Sequence, residues 1–230
     1  MYSLKYALLL FCFCSISFSL AQEEKIIPAK KVDITSFIKD TQIMSKDNEA
    51  FKMVWWIPKE YWKFSIEDSS LADSESEYID EMIASFGEFT LVCVINTEMG
   101  MFGNLKKKSS TVRIKDQKGT IYEPLDDSLI PDDFKGTLTL MKPMIAQMLG
   151  QFGEQLEFHV FSKKAKDGTL ICNPLSKGKF TILLNEEEFN FMLPLASMVE
   201  KKVCPEDQKL YNGTWNFCPI HGKKLKLQTK

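Results

Sequence analysis

The sequence predicts an α+β fold, mostly antiparallel and sandwich-like, with two or three helices and a small C-terminal hairpin. Three observations support this class. Segments of strand length dominate residues 88–195, helical spacing of apolar residues is confined to a few stretches, and turn residues such as Asp167-Gly168 separate the strands. Strands that follow one another with few helices between them favour antiparallel sheets over a doubly wound α/β fold.

Three stretches predict helices from their apolar spacing or their boundary residues: 32–46, 74–86 and 142–149. Ser74 begins the second stretch as part of a capping box, and Pro143 stands near the start of the third. We expect these three stretches to be the helices of the fold.

The predicted strands are the apolar or alternating segments 88–96, 110–115, 120–124, 155–162, 179–184 and 189–195. Residues 88–96 are almost continuously apolar, which is typical of a central strand. Pro58 interrupts residues 51–66, so that segment predicts two short strands or a strand and a turn. Residues 125–137 are expected to form an acidic loop.

The composition is that of a globular chain. Of 230 residues, 29 are Lys or Arg and 31 are Asp or Glu, and 44% are hydrophobic. This apolar fraction is enough for a packed core, which excludes a disordered chain. The net charge of −2 argues against a nucleic-acid-binding protein, since such proteins carry a basic excess.

The N-terminus has the pattern of a cleaved secretory signal peptide. Lys5 precedes an apolar stretch over residues 6–18, and the small residues Ser19 and Ala21 stand before a polar run that begins at Gln22. The stretch is shorter than the roughly 20 residues that a membrane span needs. We expect cleavage after Ala21 and a periplasmic or secreted bacterial protein without a membrane span; a retained anchor is the alternative.

The sequence divides into four parts. Residues 1–21 are the signal peptide, 22–31 a polar leader, 32–200 a β-rich globular domain, and 201–230 a tail with two cysteines. The length of the β-rich part fits one hydrophobic core.

Aromatic residues are crowded into the segment 54–64. Neighbouring strand residues point to opposite faces, so Trp55 and Trp56 cannot both face one core. Together with Tyr61 and Trp62, they are candidate residues of an exposed surface that binds a glycan or a protein partner. The alternative is a sheet covered on both faces.

The tail contains two Cys-Pro turns. Cys204 and Cys218 are each followed three residues later by a potential metal ligand, Asp207 and His221. A tight turn brings a thiolate and the side chain three residues later to the same metal ion, and Gly222 permits the positive φ that closes such a turn. These residues resemble a zinc ribbon, whose turns read C-P-x-C-G. The resemblance implies a structural zinc ion with these four ligands.

The tail departs from the zinc ribbon because neither residue three positions after a cysteine is itself a cysteine. A disulfide between Cys204 and Cys218 is one alternative, since exported chains meet oxidising conditions. A turn without metal, held by packing around Trp215 and Phe217, is another. Cys172 is expected to be a free, partly buried thiol; pairing with a tail cysteine or metal ligation are its alternatives.

No catalytic motif is present: the sequence lacks G-x-S-x-G, a P-loop, H-E-x-x-H and G-x-G-x-x-G. We therefore expect a binding or interaction protein of unknown protein or glycan partner. One alternative is an exported metal-dependent hydrolase that uses His159 and Glu157. The other is a metal-handling protein with exposed thioethers at Met99, Met101 and Met144.

Overall fold

Helices and antiparallel sheets make up the part of the chain that the computed structural model describes, which is residues 24–27, 31–45, 50–67, 77–100 and 104–228. The predicted α+β class is confirmed, and the paired strands of these ranges run antiparallel. Residues 1–21, which are expected to be a signal peptide, and Ser74 lie outside the described residues. Within these ranges, no helix has the length and apolar character that crossing a bilayer requires.

The first sheet is built around β3 (Phe89–Met99), which is buried over most of its length. One edge of β3 pairs with β2 (Ala50–Ile57), which in turn pairs with β1 (Gln42–Met44). The other edge pairs with two strands, β4 (Leu105–Lys107) near its end and β7 (Glu157–Ser162) near its start. The prediction of a central strand here is confirmed.

The second sheet has the strand order β6 (Ile121–Tyr122), β5 (Val112–Lys115), β8 (Gly178–Leu184) and β9 (Glu187–Leu193). Both hairpins of this sheet follow the predicted segments. Asn185, in the turn between β8 and β9, has a φ of 55°, a conformation that Asn tolerates better than most residues. The side chains of β9 alternate between buried and more exposed positions, so one face packs on the rest of the molecule.

Two helices begin and end close to the predicted positions. In α1 (Ile34–Thr41), the Asp33 carboxylate accepts a hydrogen bond from the Ser36 N–H at 2.9 Å and caps the first turn. The helix is shorter than the predicted 32–46 because the chain turns into β1 at Gln42. Helix α3 (Glu77–Phe86) ends before Gly87, as the sequence predicts.

A helix replaces the strand or turn that was predicted after Pro58. Helix α2 (Lys59–Glu67) begins directly after this proline, whose carbonyl accepts a hydrogen bond from the Tyr61 N–H at 2.9 Å. The first backbone N–H groups of a helix have no acceptor within it, so a proline, which lacks an N–H, loses no hydrogen bond at this position. Pro58 therefore initiates a helix here.

Helix α4 (Asp132–Met148) is longer than the predicted 142–149 and takes up part of the predicted acidic loop. Pro143 lies inside it, where a proline disfavours a helix by about 3 kcal/mol. Phe134, Leu138 and Ile145 are buried along the helix and stabilise it on both sides of the proline.

The first sheet is covered on both faces. On one face, the Trp55 indole N–H donates to the Thr41 hydroxyl at 3.2 Å, and its ring lies 5.1 Å from that of Tyr61. On the other face, the Trp56 ring lies 4.8 Å from that of Phe180 in the second sheet. The helices therefore pack on one side of the first sheet and the second sheet packs on the other.

The tail has a sheet and a hydrophobic cluster of its own. Its strands are β10 (Lys202–Val203), β11 (Leu210–Tyr211) and β12 (Lys226–Leu227), with β10 in the centre. The structure thus has a three-stranded sheet of two-residue strands where the sequence predicted a hairpin. The buried members of the cluster are Cys204, Cys218 and Leu225.

Candidate metal centre

Two turns of the tail have the same backbone hydrogen bonds, and we call them the Cys204 turn (204–209) and the Cys218 turn (218–223). In each, the Cys N–H donates to the carbonyl of the fifth residue after it, and the N–H of the fourth residue donates to the Cys carbonyl. The distances are 3.0 and 3.0 Å in the first turn and 2.8 and 2.9 Å in the second. The fourth residue has a positive φ in both, 57° at Gln208 and 64° at Gly222.

The two turns bring three metal-ligating side chains together. The ligand atoms of Cys204, Cys218 and His221 all lie within 4.8 Å of one another. The His221 Nδ1 atom is 3.5 Å from the Cys204 Sγ atom and 3.6 Å from the Cys218 Sγ atom. Both cysteines are buried and are free thiols, not a disulfide. These three residues lie close enough to hold a metal ion.

Hydrogen-bond donors surround the Cys218 sulfur. Burial raises the pKa of this thiol, but the amide N–H groups of His221 and Ile220 and the Tyr211 hydroxyl stabilise the thiolate and lower the pKa to about 7. The His221 N–H lies 3.4 Å from the sulfur. For Cys204, burial outweighs the amide groups of its own turn and raises the pKa.

Asp207 lies beside the three ligands but outside the set within 4.8 Å. Its Oδ2 atom is 4.0 Å from the His221 Nδ1 atom and accepts a hydrogen bond from the Tyr211 hydroxyl at 3.2 Å. Its Oδ1 atom accepts one from the Lys209 N–H at 3.1 Å. Burial opposes ionisation of Asp207, but these donors outweigh it and lower its pKa, so the group next to the cluster is a carboxylate.

The tail contains one buried cation and packs closely against the chain that precedes it. Lys202 is only 1% exposed and donates from Nζ to the Trp215 carbonyl at 3.0 Å. A Cβ atom on Gly213 would lie 2.1 Å from the Glu200 carbonyl oxygen, so the tail approaches the preceding chain too closely for a side chain there. A cleft of 330 Å³ between α1 and the tail is lined by residues that include Asp40, Ser197 and Tyr211.

The four aromatic residues predicted as a contact surface are core residues. Trp55, Trp56, Tyr61 and Trp62 are all at most 4% exposed. The physical reason is the coverage of both faces of the first sheet, and Trp62 in α2 stacks on Phe86 of α3 at 4.2 Å. The prediction of an exposed aromatic surface in this segment is therefore wrong.

The His159 side chain lies within the fold, on the face of β7 that also carries Glu157. Its Nε2 atom is 3.7 Å from a Glu157 carboxylate oxygen, and that carboxylate pairs with Lys107 at 2.6 Å. Burial lowers the pKa of His159, and the Glu157 charge partly opposes this effect. The cleft beside α1 does not include either residue of this pair.

The remaining candidates lie away from the tail cluster. Cys172 packs against the main hydrophobic core as a free thiol, as predicted, and burial raises its pKa well above the usual value. Met99 and Met144 are exposed at the end of β3 and in α4, as metal handling would require. Met101 lies outside the described residues.

Sequence reasoning missed Tyr211 and Gln208. Tyr211 reaches Asp207 because β11 pairs with β10 and returns the chain to the Cys204 turn. Gln208 occupies the position that Gly222 has in the other turn, and aligning the two turns by their cysteines would have found it. No comparable signal marks Tyr211.

Comparisons with known proteins identified no relative of this chain. No family model, no curated protein and no solved structure was found to match the chain. What the protein does must therefore be inferred from its own residues, above all from the geometry and the surface of the tail.

Proposed function

We propose that this chain is an exported binding or interaction protein whose tail holds one zinc ion as a structural centre. Cys204, Cys218 and His221 are three ligands, and Asp207 is the fourth. The observation that supports this most strongly is the position of the imidazole, with Nδ1 at 3.5 and 3.6 Å from the two sulfur atoms.

These two distances fit a shared tetrahedral ion. Zinc bonds of about 2.3 Å to sulfur and about 2.0–2.1 Å to nitrogen, at the tetrahedral angle, place the two donor atoms about 3.5 Å apart. Two thiolates and an imidazole are also the donor types that zinc prefers in structural sites. The similar turns supply both sulfur atoms with amide donors, which favour the thiolate that a metal requires.

We take Asp207 as the fourth ligand because it follows Cys204 by three residues, as His221 follows Cys218. In a tetrahedral site, a carboxylate oxygen and an imidazole nitrogen are about 3.4 Å apart, and the observed distance is 4.0 Å. A small rotation of the carboxylate closes this difference. The hydrogen bond from the Tyr211 hydroxyl then orients the Asp207 carboxylate, as partners outside the ligand set do in metal sites.

A structural role follows from the size of the tail. Its buried cluster consists of Cys204, Cys218 and Leu225, with Tyr211 packed against it, which is too little apolar surface to hold a separate module together. Four protein ligands leave no open position for a substrate or a water molecule. The zinc ion therefore stabilises the fold of the tail.

Export and a binding role are supported by the N-terminal pattern and by the lack of catalytic motifs in the sequence. The aromatic residues of segment 54–64 are buried and do not form a contact surface. Within the described chain, we therefore propose the tail as the location of the contact surface.

Metal content by mass spectrometry, combined with thiol titration, tests the zinc centre. The mature chain, purified without chelator or affinity metal, should contain about one zinc ion. Cys218→Ser should lose the zinc, whereas Cys172→Ser, which removes a free thiol of the main core, should retain it. Absence of metal together with two protected sulfur atoms would show a Cys204–Cys218 disulfide and contradict the proposal.

A further inference from the structure

The tail exposes an unusual set of apolar side chains. Among the exposed large hydrophobic residues of the described chain, the two aromatic ones are Trp215, at 44%, and Phe217, at 59%, and both lie in the tail. Ile220, three residues further along, is 67% exposed. Three large exposed apolar residues thus lie within six positions of the chain, and clustered exposed apolar side chains mark interaction sites.

The backbone directs Phe217 away from the metal cluster. Phe217 forms an antiparallel bridge with Lys224, and the next residue, Cys218, is buried in the cluster. Because neighbouring residues of an extended segment point to opposite sides, the Phe217 ring lies on the outer side with the Lys224 side chain as its cross-strand neighbour. Apolar and basic groups thus share one surface.

The charge of the tail is opposite to that of the rest of the chain. Residues 201–230 contain seven lysines and two acidic residues, Glu206 and Asp207, for a net charge of +5. The preceding 200 residues carry −7. A basic segment on an acidic protein is complementary to an anionic partner.

The first described residues of the chain lie next to this surface. Burial lowers the pKa of Lys202, and the nearby Glu24 carboxylate partly opposes this effect. The same Lys202 side chain donates to the Trp215 carbonyl. Lys25 and Ile27 pair with the backbone just before the tail: the Glu200 N–H donates to the Lys25 carbonyl at 2.7 Å. The first described residues therefore lie beside the start of the tail.

We infer that Trp215, Phe217, Ile220 and the exposed lysines Lys223, Lys224 and Lys226 form a docking surface for an anionic lipid bilayer. Aromatic and aliphatic side chains enter the region of the lipid headgroups, and lysine ammonium groups contact the lipid phosphates. A bilayer fits both parts of this surface, since its headgroup region takes up the exposed apolar side chains and its phosphates contact the lysines, whereas an acidic polypeptide complements only the charge.

Vesicle cosedimentation tests this surface on the chain that begins at Gln22. Vesicles of phosphatidylcholine alone are compared with vesicles that contain about one third phosphatidylglycerol. We expect binding to the anionic vesicles to be at least about tenfold stronger and to weaken as salt is added, since the contribution of the lysines is screened. Equal binding to both vesicles, or no binding, would overturn the inference.

Variants identify the residues responsible. Phe217→Ser with Ile220→Ser should lower binding to anionic vesicles about tenfold. The matched control, Leu140→Ser with Met144→Ser, removes two similarly exposed residues of α4 and should bind like the parent chain. Equal binding by the two variants would show that the patch is not used. Binding to polyglutamate without binding to vesicles would assign the surface to an acidic polypeptide instead.

Zinc content, measured on the same preparations, separates this result from that of the metal centre. A Phe217→Ser, Ile220→Ser variant that keeps the parent chain's zinc content and loses vesicle binding has a folded tail and an altered surface. A parent chain that binds anionic vesicles without holding zinc would support the docking surface while contradicting the metal centre.

Discussion

With His221 as a ligand, the proposed zinc centre would differ in charge from a zinc ribbon with four cysteines. Two thiolates, one carboxylate and a neutral imidazole give a zinc site a charge of −1, whereas four thiolates give −2. His221 is the exposed member of the three, and an imidazole needs less shielding from solvent than a thiolate does. The buried positions are taken by the two cysteines.

Tyr211 is expected to orient Asp207 for the metal. Tyr211→Phe removes the hydroxyl that donates to the Asp207 carboxylate at 3.2 Å, so zinc affinity should fall about tenfold. Competition with a zinc-binding dye measures this change. Tyr122→Phe is the control, since it removes a similar hydrogen bond to Asp116 in the second sheet and should leave the affinity unchanged. Parental affinity in Tyr211→Phe would contradict the role of Tyr211.

The helices show how context decides what a proline does. Pro58 directly precedes α2, and Pro143 lies within α4. Both were predicted from the same rule, that a proline interrupts a helix or stands at its start. In α4 the burial of Phe134, Leu138 and Ile145 outweighs that preference.

Two glycines near α4 should respond to alanine in opposite ways. Gly136 lies inside the helix with no atom within 4 Å of an added Cβ, so Gly136→Ala should raise the free energy of unfolding by about 1 kcal/mol. Gly153 packs against α4, and its added Cβ would lie 2.0 Å from the Ala146 carbonyl oxygen. Gly153→Ala should therefore lower the free energy of unfolding by about 1–3 kcal/mol. Urea denaturation measures both changes, and equal stability of the two variants would contradict this packing.

The whole molecule contains two hydrophobic clusters of unequal size. The main one joins both large sheets and the helices, and the other consists of a few residues around the proposed metal. The larger cluster is stable through the area that it buries, whereas we expect the smaller one to depend on the proposed metal ion. The two parts should therefore respond differently to loss of metal.

Removal of zinc with a chelator should unfold the tail and leave the sheets intact. In hydrogen exchange, backbone amides of residues 201–228 should lose protection, and those of β3 should keep it. Addition of zinc should restore the tail. Equal loss of protection in β3 would mean that the two clusters unfold as one unit, and unchanged exchange in the tail would mean that it needs no metal.

Most of the candidate centre could be predicted from the sequence because its geometry is local. Cys204 with Asp207, and Cys218 with His221, are three residues apart, and a tight turn alone brings each pair together. Tyr211 could not be predicted, since its contact with Asp207 depends on the pairing of β11 with β10. The exposure of Phe217 likewise depends on which side of the tail faces the cluster.

The sequence by itself determined the α+β class, most of the strands and the two turns of the tail. Each of these depends on the spacing of apolar and turn residues within about ten positions of the chain. Only the tertiary structure decided that Trp55 and Trp56 are both buried, that α2 follows Pro58 and that α4 continues through Pro143. Those outcomes depend on elements distant in the sequence, which cover a face or stabilise a helix and so outweigh the local preference.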